Sequence, residues 1–346
     1  MNVLCRGVRW APGLAALAGA ALVLARPQAA VLGVSEGLAR CYSAIIPALF
    51  PFFVLSQLFL ESPVARLAGI PLRPVARSLG LERQSAGLLL AGWVGGFAVA
   101  AKGVGLQLRA GQLNRRQGQI ALLACAAAGP SFAISAVGYL LLGSSRLGVC
   151  LYLAQLPACW LTALAARMLA KEQPREAPPS ASAPGGGFAA AVSQGVNSTL
   201  TVCGYVIFFQ LLYRLLAPAD SWPLAALLEM TLGCSQAALL PTGQLTAAAV
   251  SISLLGLCAF AQIRALAGIS VLPLLVSRLV HLPLMLAFTR LFVRLWPGET
   301  AAWAGSEPAA ILPFRMPKEA ALVFFALAFA FTVSGRPALQ SRQGKL

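Results

Sequence analysis

The chain has 346 residues, of which 59% are hydrophobic and 10% charged, and its mean hydropathy is +0.79. Soluble domains carry roughly 25% charged residues, so this composition excludes an ordinary soluble fold and favours a protein solvated by lipid. The formal net charge is +16. Because the basic residues lie mostly between apolar runs, they indicate helix orientation and contact with anionic headgroups, and not nucleic-acid binding.

The sequence carries no recognisable catalytic or metal-binding pattern. It has one histidine and eight cysteines without a C-x-x-C pair, which argues against a metal site, an iron–sulfur cluster or a disulfide framework. Walker A, G-x-S-x-G and H-E-x-x-H motifs are also absent from the sequence. We therefore expect neither an enzyme nor a cofactor.

Residues 10–25 are apolar and predict a first transmembrane helix, with a cleaved signal peptide as the alternative. Later apolar runs are long enough to span a bilayer. We place these spans at residues 42–60, 119–142, 147–169, 198–216, 245–261, 266–295 and 319–333. Two apolar segments, 86–102 and 222–240, are shorter and carry a charge or a glycine cluster.

Residues 171–187 read KEQPREAPPSASAPGGG, a composition that cannot bury a core and predicts a flexible cytoplasmic linker. The linker separates two halves of similar size. The predicted organisation is an N-terminal helix and loop (1–41), a first repeat (42–170), the linker (171–187), a second repeat (188–295), and a C-terminal loop, helix and basic tail (296–346).

The arginine distribution predicts a re-entrant segment in the first half. Four arginines lie within residues 61–83, three within 102–116, and further basic residues lie in the linker. Basic loops favour the cytoplasmic side, and these loops share one side only if residues 86–102 enter the membrane and return. Irregular backbone at membrane depth must then be covered by protein or line a cavity.

The two halves present similar features in the same order: a Phe-rich helix, a short irregular segment, and a longer helix with an internal break. If the linker is cytoplasmic, the first helix of one half and the first helix of the other cross the membrane in opposite directions. This predicts inverted repeats. Paired interrupted segments in two halves are typical of transporter binding sites. The fold class predicted is an all-α, polytopic transmembrane bundle with inverted repeats and two re-entrant hairpins.

These motifs resemble the sporulation integral membrane protein YlbJ family, within the wider nucleoside-recognition Gate-domain group. The matching text is IPALFPFFVLS at 46–56, GFAVAAK at 96–102, AGPSFAISAVG at 128–138, GYVIFF at 204–209 and LEMTLG at 228–233. The resemblance implies a polytopic bacterial membrane protein linked to spore formation. The Gate group is similar to concentrative nucleoside transporters and ferrous-iron permease gates, which implies a solute pathway.

The sequence departs from that pattern at two places. A Gly-Tyr-Pro-type turn is expected before Lys102, where this chain lacks the proline. Asn-rich polar residues are expected before Gly129, where this chain has Ala126, Ala127 and Ala128. The lost amides remove hydrogen-bonding groups that could hold a polar ligand.

The candidate substrate-binding residues are the polar and helix-breaking groups within the apolar segments. A carboxylate at membrane depth usually faces a cavity or a partner, so Glu229 leads the set, with an interfacial position as the alternative. The full set is Glu229, Gly129, Pro130, Ser131, Lys102, Asn197, Gln236 and Gln262.

Each of the remaining candidates has a structural alternative. Lys102 can balance an anionic ligand, pair with Glu229, or anchor at the headgroups. The Gly129–Ser131 break can expose backbone groups to a ligand or form a simple kink. Asn197 can cap a helix, and Gln236 and Gln262 can bond between helices.

Arg278 and His281 lie one helical turn apart in a long apolar stretch. They could form a proton relay or serve the structure alone. Gly95 and Gly96 permit a tight turn or close packing.

Two functions from different classes fit these features. The first is a secondary transporter or solute-conducting protein for a nucleoside-like or other small polar solute, with a coupling cation. The second is a non-transporting scaffold or assembly factor in a sporulation or envelope complex. Under both functions the chain is a multi-pass protein of the bacterial plasma membrane, with the lipid bilayer as its partner. Either function is compatible with an oligomer.

Overall fold

The computed structural model describes residues 2–82, 85–169, 187–217 and 220–297, and every regular element among them is helical. The predicted all-α polytopic bundle is therefore confirmed. The predicted C-terminal span at 319–333 lies outside the described residues, as does the linker up to residue 186. Gly187, predicted as linker, is the first residue of a long helix.

The helices follow the predicted order, with breaks inside several of the predicted spans. They are α1 (Asn2–Ala25), α2 (Pro27–Arg40), α3 (Ile46–Glu61), α4 (Val64–Ala68), α5 (Arg73–Ser78), α6 (Ala86–Gly95), α7 (Phe97–Arg109), α8 (Arg115–Cys125), α9 (Ser145–Leu169), α10 (Gly187–Leu216), α11 (Trp222–Leu228), α12 (Met230–Ala238), α13 (Gln244–Leu254), α14 (Gly256–Ala267) and α15 (Leu272–Leu295). A π-helical turn (Cys41–Ile45) joins α2 to α3, and a π-helix (Ser131–Leu141) follows α8.

Helices α2 and α3 form one long element through the π turn, and this element runs antiparallel to α10. Gly37 packs on the backbone of Ile207, and the Cys41 thiol lies 3.7 Å from the Cys203 carbonyl oxygen. The span predicted at 42–60 is therefore the second part of a longer helix. That helix begins at Pro27, where its axis makes an angle of 104° with α1. The residues before 42, predicted as a loop, are helical.

Two helical hairpins stand where the two short apolar segments were predicted. In the first, Gly103 of α7 packs against Leu88 of α6, and in the second, Gly233 of α12 packs against Ala226 of α11. Helix α6 has 10 residues and α11 has 7, lengths of roughly 15 and 10 Å. A bilayer core is about 30 Å thick, so neither α6 nor α11 is long enough to cross it alone, and the chain turns back after each.

Each hairpin is followed by a broken helix and then by a long unbroken helix. The broken pairs are α8 with the π-helix and α13 with α14, and the long helices are α9 and α15. Among the described residues, four elements are long and apolar enough to cross a membrane: α9, α10, the α13–α14 pair and α15. A fifth exists if the bent α1–α2 pair counts as one.

The ends of α9 distinguish the two ends of the bundle. Near its C-terminus, the Arg167 guanidinium donates to the carbonyl oxygens of Arg77 and Ser78, in the loop rich in arginine. Near its N-terminus, Arg146 Nη1 donates to the Trp296 carbonyl oxygen at 2.6 Å. We call the first the arginine-rich end and the other the opposite end.

Candidate functional site

The tip of the first hairpin rests on the break in the first broken helix. Gly96 has φ 82° and ψ 179°, and an added Cβ would lie 2.9 Å from the Gly129 nitrogen. The Phe97 N–H donates to the Ala127 carbonyl oxygen at 2.7 Å. Only glycine reaches this positive-φ conformation and this close approach without strain, as the predicted tight turn required.

Three side chains hold this first break in place. Trp93 Nε1 donates to the Ala124 carbonyl oxygen at 2.9 Å, and the Tyr152 hydroxyl donates to the Trp93 carbonyl oxygen at 3.2 Å. Gln155 Oε1 accepts from the Ala128 N–H at 2.6 Å. Gln155 is buried, and its Nε2 has no hydrogen-bond partner among the described residues. The break therefore contains an unsatisfied amide donor.

The second hairpin breaks at Glu229, the leading candidate residue. Its backbone is extended (φ −150°, ψ 128°), so α11 ends before it and α12 begins after it. The carboxylate caps α12: Oε1 accepts from the Thr231 N–H at 2.9 Å and Oε2 from the Leu232 N–H at 2.7 Å. The Thr231 hydroxyl also donates to Oε2. These donors fix the carboxylate at the positive end of the helix.

The cationic partner of Glu229 is Arg40, at the end of α2. Arg40 Nη1 lies 3.4 Å from Glu229 Oε2 and donates to the Thr231 hydroxyl oxygen at 2.8 Å. The Glu229 side chain is 7% exposed and the Arg40 side chain 23%. The pair therefore connects α2 to the tip of the second hairpin, with the carboxylate buried more deeply than the guanidinium.

The tip at Glu229 rests on the break in the second broken helix, as the first tip does. Leu255 has φ 64°, a rare conformation for a non-glycine residue, and Gly256 follows it. A Cβ added to Gly256 would lie 2.8 Å from the Glu229 nitrogen. In both halves, the hairpin tip and the helix break approach each other at backbone distance.

Side chains of α15 hold this second break. The Ser253 hydroxyl lies 2.7 Å from His281 Nδ1, and the Ser253 carbonyl oxygen accepts from Arg278 Nη1 at 3.2 Å. His281 Nε2 lies 3.4 Å from the Cys159 thiol of α9. The contacts of Arg278 and His281 are those of a brace for the break, which agrees with the structural alternative to a proton relay.

The two braces occupy equivalent places in the two halves. Gln155 of α9 and His281 of α15 each lie two residues before an internal proline, Pro157 and Pro283. Each reaches the break of the broken helix in its own half. This equivalence supports the predicted repeat from side-chain contacts that the feature order alone did not show.

Lys102 does not contact Glu229, so the pairing between them, one of the three alternatives for this lysine, is wrong. The Lys102 ammonium lies in α7, buried, and donates to the Phe53 carbonyl oxygen at 3.4 Å. It also lies 5.4 Å from the centre of the Phe53 ring. The headgroup anchor is also inconsistent with this burial, because a snorkelling lysine keeps its ammonium in water.

The remaining candidate residues are dispersed. Asn197 lies in the interior of α10 with an exposed side chain, so it does not cap the helix: the helix begins ten residues earlier, at Gly187. Gln236 Nε2 donates to Asp220 at 3.3 Å, two turns beyond Glu229. Gln262 is buried in α14, donates to the Cys258 sulfur at 3.1 Å, and its Oε1 has no partner among the described residues.

The first break comprises residues 126–129, so of the predicted Gly129, Pro130 and Ser131 only Gly129 lies in it, and Pro130 and Ser131 stand at the start of the π-helix that follows. Gly129 and Pro130 are half-buried and Ser131 is exposed, whereas Ala126, Ala127 and Ala128 are buried. The break therefore brings Gly129 to the hairpin tip and leaves the Ser131 side chain on the surface of the protein.

Sequence reasoning missed Arg40, Thr231 and Gln155. Arg40 follows Glu36 by four residues, a helical spacing that would have predicted a polar face on a segment assigned as loop. Glu36 Oε1 and Oε2 each accept from Arg214 of α10 at 2.8 Å, so this face binds both α10 and α12. No local signal in the sequence indicates which acid Arg40 meets.

A cavity lies between α13 and α15, away from both hairpin tips, and Glu229 does not line it. Within residues 2–82, 85–169, 187–217 and 220–297, no group of three or more His, Cys, Asp or Glu residues is arranged to hold a metal ion. Among these residues, the site is thus two backbone breaks, one capped carboxylate and one arginine.

Over 132 residues, 38% of its length, the chain is 27% identical to the sporulation integral membrane protein YlbJ of Bacillus subtilis. The match covers 32% of the length of that relative, so the chain spans about a third of it. No family model and no solved structure matches the chain. Together with the apolar helices, this similarity supports a multi-pass membrane protein distantly related to a sporulation membrane protein.

Proposed function

We propose that this chain is a secondary transporter or solute-conducting protein for a small polar solute, with a nucleoside-like molecule as one candidate class. The arrangement of the helices supports this proposal. Each half supplies a hairpin whose tip meets a helix break, and discontinuous helices are where transporters place substrates and coupling ions. The proposal assigns no catalytic step and no cofactor.

The observation that carries the proposal is the position of Glu229 at the second break. Two backbone N–H groups hold its carboxylate in place, so the carboxylate stays positioned when Arg40 moves away. A solute hydroxyl or amine, or a coupling cation, can then replace the guanidinium. Alternating access would follow from rocking of the hairpins, with Gly129, Lys102 and Gln262 on the neighbouring elements.

The test is uptake into proteoliposomes that contain the full chain, across a panel of nucleosides and other small polar metabolites. We expect Glu229→Gln to abolish uptake of any transported solute while the protein remains folded. The matched control is Glu36→Gln, which removes another acid paired with an arginine, away from both breaks. Wild-type protein that moves no solute on the panel, or equal loss in both variants, would contradict the proposal.

The second candidate function is a non-transporting scaffold or assembly factor in the bacterial plasma membrane. It is favoured by the full hydrogen bonding of Glu229 and by the three buried alanines before Gly129. The YlbJ similarity supports a sporulation setting for either function. If no metabolite raises the melting temperature of the wild type, and Glu229→Gln lowers it without any change in ligand response, the scaffold is favoured.

A further inference from the structure

A groove of about 180 Å³ lies at the opposite end of the bundle, between the first turn of α13 and the last turns of α15. Its polar lining includes Thr246, Arg290 and Arg294, and its apolar lining includes Leu245, Leu286 and Val293. We call it the α13–α15 groove. It combines two guanidinium groups with an apolar wall.

The two arginines of the groove have spare hydrogen-bonding capacity. Arg290 and Arg294 are one helical turn apart, exposed, and have no hydrogen-bond or ion-pair partner among the described residues. Other arginines at this end are engaged: Arg146 donates to the Trp296 carbonyl oxygen and Arg214 to Glu36. The groove therefore presents, on one helix face, two guanidinium groups without a partner in the part of the chain that the structure describes.

The start of α13 adds to the positive potential of the groove. Its N-cap is Gly243, which provides no side-chain hydrogen bond to the first turn. Leu245 and Thr246 of that turn line the groove. An uncapped helix N-terminus presents free N–H groups and a partial positive charge, which favours an anion.

Helix orientation does not explain these arginines. The loops around α4, α5 and α7 place the arginines that orient the chain at the arginine-rich end, and by the positive-inside rule that end is cytoplasmic. Arg290 and Arg294 lie at the opposite end, where basic residues run against the rule. A ligand contact gives them a role that topology does not.

We propose that the α13–α15 groove binds the phosphate of an anionic phospholipid. Guanidinium groups bind phosphate through paired N–H donors, and two of them converge here with the start of α13. The apolar wall fits the upper part of an acyl chain, and the helices belong to a protein that lipid surrounds. This site is independent of the breaks at Gly96 and Glu229.

The test is a titration of purified full-length protein in detergent with dioleoylphosphatidylglycerol, counting bound lipids by native mass spectrometry. We expect the double variant Arg290→Gln/Arg294→Gln to weaken binding by roughly thirtyfold, as two lost arginine contacts predict. The matched control, Arg66→Gln/Arg109→Gln, removes two exposed arginines at the arginine-rich end and should leave the strongest site intact.

Two further arms separate the sources of the anion. Val293→Trp fills the apolar wall without changing charge, so it should weaken phosphatidylglycerol binding but not inorganic phosphate binding. Dioleoylphosphatidylcholine should bind more weakly than phosphatidylglycerol. Equal losses in the two double variants, equal binding of the two lipids, or displacement of the lipid by millimolar inorganic phosphate would overturn the proposal.

Discussion

The contact between Arg40 and Glu229 allows a double-mutant cycle that tests how the second hairpin is held. The perturbations are Glu229→Gln, Arg40→Gln and the two together. Glu229 has four donors: two backbone N–H groups, the Thr231 hydroxyl and Arg40. Arg40 has two acceptors, Glu229 and the Thr231 hydroxyl oxygen. The two single variants should therefore differ in size.

The geometry sets the expected magnitudes. Glu229→Gln weakens the cap of α12 by about 0.5–1 kcal/mol. It also leaves Arg40 without its carboxylate, at a cost of about 1–2 kcal/mol, since the Arg40 side chain is 23% exposed and keeps its hydrogen bond to the Thr231 hydroxyl oxygen. Arg40→Gln leaves the carboxylate capped by three other donors, so it should cost only about 1 kcal/mol. The coupling energy should be about 1 kcal/mol.

The assay is unfolding in detergent, monitored by far-ultraviolet circular dichroism. The wild type, the two single variants and the double variant are compared at the same protein and detergent concentrations. The double variant should be less destabilised than the sum of the single variants, because it leaves no unpaired charge. A coupling energy of zero would show that the two side chains do not interact. If Arg40→Gln is more damaging than Glu229→Gln, then the cap does not hold the carboxylate as described.

Three further predictions concern two close backbone contacts and one buried hydrogen bond. Gly37→Ala should lower stability by about 1–3 kcal/mol, because the new Cβ would lie 2.8 Å from the α10 backbone, whereas Gly204→Ala, with no atom within 4 Å, should be neutral or stabilising by up to about 1 kcal/mol. Unfolding in detergent compares the two directly. Gly96→Ala should cost about 1–3 kcal/mol because its φ of 82° is strained for alanine, and comparison with the open Gly204→Ala again isolates the strain. Gln155→Leu should cost about 1–3 kcal/mol by leaving the Ala128 N–H buried without an acceptor, and unchanged hydrogen exchange at that amide would contradict the assignment.

The sequence determined the membrane class, the helical fold and both hairpins, because each depends on a property read along the chain. Apolar length decides whether a segment can cross a bilayer, and arginine position decides which loops share a side. The segment at 86–102 was predicted to return on itself from charge alone, and the structure places its turn at Gly96. Helix ends were less accurate: α2 begins at Pro27 and α10 at Gly187.

Only the tertiary structure decided which polar groups meet. Arg40 reaches Glu229 across 189 residues of sequence, while Lys102, for which a pairing with Glu229 was one alternative, lies against Phe53. In apolar helices many residues present similar surfaces, so the sequence indicates that a buried charge needs a partner but not which residue that partner is. That choice depends on helix packing, since α2 lies along α10 and carries Arg40 to the hairpin tip, where α12 begins.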